Sequence, residues 1–201
     1  MIGRQRRDSG QAFPIYVVMV AGLLFLALAF FAVGKAAALR NGAQGAADAA
    51  ALAAAQQARD EFEAPFLASL PGNTLDLYLR AHPVGGCTAA QGYAAANDAD
   101  LKGCWPIPGG YRDRIKVEVQ GLKAVDSPVL PGSNKKVATA EATAEIEFRC
   151  TWKALDFNDD GVQDLYIFKC DGGGVVEIAP GSPPPWSQVS KILFDVHLID
   201  D

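Results

Sequence analysis

The chain begins with a short basic head that is followed by a long apolar stretch. Residues 1–11 include Arg4, Arg6 and Arg7, whereas residues 12–34 carry no charge. A helix rises about 1.5 Å per residue, so this stretch would extend about 35 Å, enough to cross a bilayer core of about 30 Å. We therefore predict a transmembrane helix over residues 12–34 behind a cytoplasmic head at residues 1–11.

A cleaved secretory signal is the alternative interpretation of this stretch. It would share the basic start and could use Ala32 and Gly34, or residues 36–38, as its cleavage site. The apolar part of a signal covers only about 7 to 15 residues, and the stretch here is longer, so a retained anchor is favoured. The basic head favours a cytoplasmic N-terminus and an extracytoplasmic C-terminal part. The predicted location is the plasma membrane, with a single span.

The next segment, residues 35–63, is rich in alanine and contains no proline. Its helix propensity is high, so we expect the membrane helix to continue into water as a stalk. Small residues recur there at steps of three and four, a spacing that permits close helix approach. This face can pack on the chain's own domain, or on copies of the chain and other subunits, and the sequence leaves both open. The predicted helix-packing face consists of Leu39, Ala43, Ala46, Ala47, Ala50, Ala53 and Ala54.

The pattern after residue 64 is typical of an α+β domain. Apolar and polar residues alternate over 115–120 and 138–148, which predicts antiparallel strands with one face in solvent. Shorter strands are predicted at 165–170, 175–178 and 192–199, and short helices at 66–70, 74–81 and 88–97. Proline and glycine predict connections at 126–136 and 180–185. The predicted fold is thus a long N-terminal helix followed by a small antiparallel-sheet domain at residues 64–201, with two disulfides.

Charge and motif content exclude several functions. The net charge is -5 and no basic run follows the head, so a nucleic-acid partner is not expected. His82 and His197 are the only histidines, and neither belongs to a catalytic or metal-binding motif. We interpret each as a surface or strand residue. Neither an enzyme nor a small-molecule substrate is expected, and no cofactor other than calcium is considered.

Four cysteines follow the apolar stretch, which is typical of an exported domain with two disulfides. Cys150 and Cys170 are equidistant from Asp160, which lies in a predicted hairpin turn, so the hairpin would bring them opposite each other. Cys87 and Cys104 bracket the predicted helix at 88–97. We therefore expect the pairs Cys87–Cys104 and Cys150–Cys170.

An acidic loop at residues 156–164 has the spacing of a calcium loop. Oxygen donors occupy positions 1, 3, 5 and 9, a carbonyl is available at position 7, and Gly161 at position 6 permits the sharp turn. A helix-loop-helix site is not expected, because Ile167 replaces the usual glutamate at position 12. The alternative is a solvated acidic turn without an ion. The candidate calcium ligands are Asp156, Asn158, Asp160, Val162 and Asp164.

The order of basic head, apolar span and stalk, with the stalk sequence NGAQGAADAAALAAA at residues 41–55, resembles the TadE/TadG-like proteins of Flp (Tad) pilus systems, of the actinobacterial single-span type. Residues 93–101 and 193–198 also resemble that family. The resemblance implies a pilin-like or pseudopilin-like subunit that is inserted in the plasma membrane. It also implies assembly through the N-terminal helix with other pilin-like or pilus-assembly subunits, itself included, and a place in a cell-surface pilus.

The resemblance also makes Gly10 a candidate cleavage site. Related major pilins are cut after a glycine, with glutamate five and tyrosine six residues later. Gly10 and Tyr16 match this pattern, whereas Ile15 replaces the glutamate, so Gly10 matches a prepilin cleavage site only in part. A different class of function, a monomeric membrane-anchored module that binds an extracellular ligand, remains the alternative to a pilus subunit.

Overall fold

The structure, a computed structural model, describes residues 12–126 and 132–200. The predicted basic head and Gly10 lie outside the described residues. The helices are α1 (Ala12–Glu61), α2 (Glu63–Ser69), α3 (Leu75–Arg80), α4 (Cys87–Ala96) and α5 (Trp186–Leu193). The strands are β1 (Ala99–Ile107), β2 (Arg112–Ala124), β3 (Val137–Phe148), β4 (Cys150–Leu155), β5 (Leu165–Cys170), β6 (Val175–Ile178) and β7 (Phe194–Ile199). The predicted fold class, a long apolar N-terminal helix with antiparallel sheets, short helices and two disulfides, is confirmed.

Helix α1 is one continuous element of 50 residues, about 75 Å long. It runs through Gly42 and Gly45 without interruption. Its first half is apolar and exposed, while its second half packs on the C-terminal domain. The predicted span and the predicted stalk therefore form a single helix.

Two antiparallel sheets make up the β structure. The first has the strand order β1-β2-β3-β7 and the second has the order β4-β5-β6. One face of the first sheet packs on α1, where Ile115, Val117 and Val119 of β2 are completely buried. These are the apolar positions of the alternating pattern, so period two correctly identifies the inward face of β2.

An aromatic cluster joins the two sheets at the far end of α1. The ring centroid of Phe66 lies 6.0 Å from that of Phe168 in β5 and 6.0 Å from that of Phe194 in β7. Trp186 lies 5.3 Å from Phe66, and its indole N–H donates to the carbonyl of Arg59 at 3.2 Å. The two sheets and the end of α1 consequently share one hydrophobic core.

Two elements differ from the sequence-based expectation. Strand β1 was not predicted, because a bulge between Leu101 and Gly103 shifts its pairing with β2 and moves each later residue to the other face, which interrupts the alternation. Helix α5 includes Ile192, which was expected to begin a strand. Trp186, Val189, Ser190 and Leu193 are buried at steps of three and four, a helical spacing that is visible in the sequence.

The polar face of β3 is the third difference. Thr143 and Glu145 were expected to face solvent, yet they are only 3% and 4% exposed. Glu145 pairs across the sheet with Arg114 and with His197, and Arg114 donates to its carboxylate at 2.8 Å. Alternation predicted the two faces of β3 correctly, but the neighbouring strands decide how much of the polar face is covered.

Candidate functional site: the N-terminal helix

The membrane-length part of α1 exposes its large apolar side chains. Among the described residues, this is the one helix that is long and apolar enough to cross a membrane. Phe13, Phe30 and Phe31 are 75%, 76% and 70% exposed. A water-soluble domain does not normally leave so large an apolar surface uncovered, so this segment requires a membrane, other helices or both.

The second half of α1 carries the predicted helix-packing face, and the structure places it against the chain's own domain. Its alanines are buried to 7% exposure or less, and Leu39 is half-buried. The surfaces that cover them belong mainly to β3, β2 and α4. Of the two arrangements that the sequence left open, the structure has the intramolecular one. The buried members of the face are Ala43, Ala46, Ala47, Ala50, Ala53 and Ala54.

Helix α4 and Gly86, the residue just before it, pack directly on the alanine face of α1, so this contact needs small residues. Gly86 adopts φ +104°, and a Cβ at this position would collide with the carbonyl of Ala54. The Gln57 side chain of α1 accepts the backbone N–H of Ala89 in the first turn of α4 at 2.7 Å, which satisfies one of the N–H groups that a helix start leaves unpaired. The small side chains of the alanine face thus allow α4 to pack close to α1.

The opposite side of the stalk remains exposed and is lined by small or polar residues. Ala37, Asn41 and Gly45 are exposed, and a Cβ added at Gly42 or Gly45 would contact nothing. This exposed stalk side continues the uncovered surface of the apolar segment. It is the part of the stalk that a second helix can reach.

Two disulfides hold elements of the C-terminal domain together. One joins Cys87 at the start of α4 to Cys104 in β1, and the other joins Cys150 in β4 to Cys170 in β5. Cys150 and Cys170 are directly opposite in the hairpin register. The pairs are those expected from the sequence, and no described cysteine is free.

The acidic loop between β4 and β5 is organised by hydrogen bonds from its own backbone. The Asp156 carboxylate accepts the N–H of Gly161 at 2.9 Å, and the Asp160 carboxylate accepts the N–H of Val162 at 2.8 Å. The Asp164 carboxylate accepts the N–H of Phe157 at 2.7 Å. Across residues 12–126 and 132–200, no three His, Cys, Asp or Glu side chains are grouped as metal ligands. These bonds account for the shape of the turn, and calcium binding by the loop stays a prediction.

The structure corrects the interpretation of His82, which is neither a surface residue nor part of a strand. It follows α3 and is 5% exposed, beside Asp113 of β2, which is 2% exposed. The ring of Phe62 packs edge-on against the imidazole, with the centroids 4.5 Å apart. Asp113 also accepts the N–H of Gly109 at 2.8 Å. No local pattern pairs His82 with Asp113, because β2 is brought to α3 only by the tertiary fold.

The environment of His82 favours the protonated ring. Burial disfavours the charge and acts to lower the pKa, but the contact with Asp113 and its negative charge outweigh burial, so the pKa of His82 is raised above its ordinary value. The carbonyls of Tyr78 and Leu79 act in the same direction. Burial, with the nearby charge of Asp113, also raises the pKa of Tyr78. This cluster resembles a structural ion pair rather than a reactive site, since both side chains are almost completely buried.

Comparison with known proteins finds one family match, and it lies on the N-terminal helix. Residues 10–57 match the family model described as putative Flp pilus-assembly TadE/G-like. The match covers about a quarter of the chain and ends before the first strand. No curated protein and no solved structure matches the chain at a significant level.

The TadE/G-like match lies on the span and most of the stalk. It therefore connects α1 with Flp pilus assembly, and the family is a structural or assembly component. One apolar N-terminal helix together with this family match fits a single-pass membrane protein. The context of such a protein is a membrane that also holds other pilus subunits.

Proposed function

We propose that the protein is a pilin-like or pseudopilin-like subunit of a Flp pilus system and that it acts through packing of its N-terminal helix. One observation carries this proposal. The large apolar side chains of residues 13–33 of α1 are exposed within the described chain, and the TadE/G-like match lies on the same helix. The partners we propose are other pilin-like or pilus-assembly subunits, including copies of the same chain.

The proposed contact is confined to parts of α1 that remain uncovered. The alanine face is occupied by β2, β3 and α4, so a second copy cannot use it without displacing the C-terminal domain. The exposed stalk side, with Ala37, Asn41 and Gly45, allows a neighbouring helix to approach closely because its side chains are small or short. Contacts between subunits would therefore run along residues 13–34 and the exposed stalk side.

We further propose that the N-terminus is cytoplasmic and the C-terminal domain extracytoplasmic, with a cell-surface pilus as a later location. Arg4, Arg6 and Arg7 support this orientation, because basic residues beside a span favour the cytoplasmic side. The two disulfides support an oxidising compartment for the C-terminal domain. We propose neither catalysis nor nucleic-acid binding nor a small-molecule substrate.

Crosslinking between single cysteines in native membranes tests the packing proposal. The four native cysteines form disulfides, so an added cysteine is the one free thiol. Leu28→Cys, Ala37→Cys and Asn41→Cys place this thiol on exposed positions of α1. A short bis-maleimide should join these variants to a second copy or to another span protein, and the product should remain in the membrane pellet after alkaline extraction.

Lys153→Cys is the matched control, because it is exposed on β4, which belongs to the second sheet and not to the sheet that packs on α1. It should stay monomeric under the same conditions. If the α1 variants are also monomeric, both alone and when the other pilus components are present, the subunit proposal fails. That result would favour the monomeric anchored module.

A further inference from the structure

Helix α1 determines how far each part of the C-terminal domain lies from the apolar span. Lys35 directly follows Gly34, the last residue of the span, and its ammonium group donates to the carbonyl of Asp126 at 3.2 Å. Asp126 lies just beyond the end of β2. In contrast, Arg59 binds Trp186 about 36 Å further along the helix, at 1.5 Å per residue. The end of β2 is therefore held level with the end of the span, whereas α5 is distant from it.

Basic side chains are concentrated at this level. Lys123, Lys135 and Lys136 are exposed on the two sides of the β2–β3 connection. The N–H of Val125 donates to the carbonyl of Lys136 at 3.0 Å, which keeps Lys136 beside the residue that binds Lys35. In this part of the described chain, these lysines and Lys35 outnumber Asp126 and Asp98, and the Asp98 carboxylate pairs with Lys123 at 2.6 Å.

An open groove lies between α1 and the described residues on the two flanks of this connection. It is lined by Lys35, Leu39, Lys123, Ala124, Asp126 and Asn134. The groove opens beside the first residue after the apolar span, so a membrane around the span would border it directly. We define the membrane-proximal surface as Lys35, Lys123, Asp126, Asn134, Lys135 and Lys136.

We propose that the membrane-proximal surface binds anionic lipid headgroups of the leaflet that faces the C-terminal domain. When residues 13–34 cross the bilayer, Lys35 reaches the headgroup layer, and its bond to Asp126 brings the end of β2 to the same layer. Juxtamembrane lysines are attracted to anionic lipids and extend their long side chains toward the phosphates. Headgroup binding sets the orientation of the domain on the membrane and leaves the second sheet far from it. The proposal requires the span to be in the membrane but does not require assembly into a pilus.

The test uses the full chain, one copy per nanodisc, with a spin label on a single added cysteine. Asn134→Cys reports on the membrane-proximal surface, Lys153→Cys reports on the distant second sheet, and Phe31→Cys reports on the span. The nanodiscs contain phosphatidylcholine alone or a mixture with phosphatidylglycerol. Collision of each label with a water-soluble nickel complex and with oxygen measures its exposure to water and to lipid.

We expect the label at position 134 to lose about three-fold or more of its accessibility to the nickel complex when phosphatidylglycerol is present. The label at position 153 should not respond. High salt should restore the accessibility at position 134, because salt screens exposed charges. A combined Lys135→Gln and Lys136→Gln variant should abolish the response. The matched Lys153→Gln and Lys169→Gln variant, labelled at position 134, removes the same charge on β4 and β5 and should retain the response.

Three results would overturn the proposal, and they have different meanings. If position 134 is as accessible as position 153 in both lipids while position 31 reports lipid, the span stands but the surface does not bind headgroups. Protection that is equal in both lipids and insensitive to loss of the lysines would show a contact other than anionic lipid. A label at position 31 that reports water would remove the membrane span on which the proposal rests.

Discussion

The imidazole of His82 and the carboxylate of Asp113 form an ion pair in the interior of the C-terminal domain, with Nε2 2.8 Å from Oδ2. The contact is short but not aligned with the ring N–H direction. Nδ1 lies 3.1 Å from the carbonyl of Tyr78. Both neighbours are acceptors, so each ring nitrogen is best satisfied when it carries a proton. The pair connects the end of α3 to the start of β2, two segments that have no strand pairing between them.

The first prediction concerns pH. Because the pKa of His82 is raised in the folded chain, its contribution to stability is complete below the unfolded pKa of about 6.5 and is lost as the pH rises through the folded value. We therefore expect the thermal midpoint of the full chain in detergent to fall as the pH rises from about 6.5 through the folded pKa of His82. A His82→Gln variant should lack that part of the pH dependence, and an equal dependence in both proteins would contradict the assignment.

Asp113→Asn tests the same pair at constant pH. The variant leaves the imidazole buried without its counter-charge, and removal of one partner of a buried ion pair typically costs about 3–5 kcal/mol. Chemical denaturation of the full chain measures the loss. Asp100→Asn, at an exposed position of β1 whose partner Lys102 lies at 3.4 Å, is the control and should change the unfolding free energy by about 0.5 kcal/mol or less.

The alanine face of α1 provides a prediction about packing. Ala50 is completely buried, so Ala50→Leu forces a larger side chain against the C-terminal domain and should lower the unfolding free energy by about 1–3 kcal/mol. Ala37→Leu makes the same change on the exposed side and should have an effect of about 0.5 kcal/mol or less. Denaturation followed by tryptophan fluorescence compares them, and similar losses would show that the face is not buried as described.

The β4–β5 disulfide should stabilise the domain by restricting the unfolded chain. Cys150 and Cys170 are 20 residues apart, and closing a loop of about this size contributes about 3 kcal/mol. A double Cys150→Ser and Cys170→Ser variant should lose about this amount in denaturant. Peptide mapping without reduction provides the independent check, since a peptide that links Cys104 to Cys150 would disprove the pairing.

Calcium binding by the acidic loop is tested by calorimetry on the full chain. A site with an affinity of about 0.1–1 mM, as in extracellular modules, would stabilise the fold by about 1 kcal/mol in several millimolar calcium. The thermal midpoint should then rise relative to chelator. A double Asp156→Ala and Asp160→Ala variant should not respond. A midpoint that does not move in the original chain would leave only the hydrogen-bonded turn.

Several features follow from the sequence because they depend on neighbouring residues. The apolar stretch and the alanine-rich segment specify α1, since backbone hydrogen bonds of a helix close within a few residues. Strict alternation specifies β2 and β3 and their inward faces. The turn centred on Asp160 places Cys150 opposite Cys170. In each case the determining signal lies along one stretch of chain, so no knowledge of the fold is needed.

Other features were decided only by tertiary packing. The alanine face of α1 looks equally suited to a second copy or to the chain's own domain, and only the position of β2, β3 and α4 shows that it is used internally. His82 and Glu145 are buried because distant strands and helices cover them, and a sequence pattern carries no record of such neighbours. The closeness of Lys35 to Asp126 likewise depends on how the first sheet lies along α1. The physical reason is that local pattern determines which face of an element is apolar, whereas the surface that covers this face is chosen by the free energy of the whole packed chain.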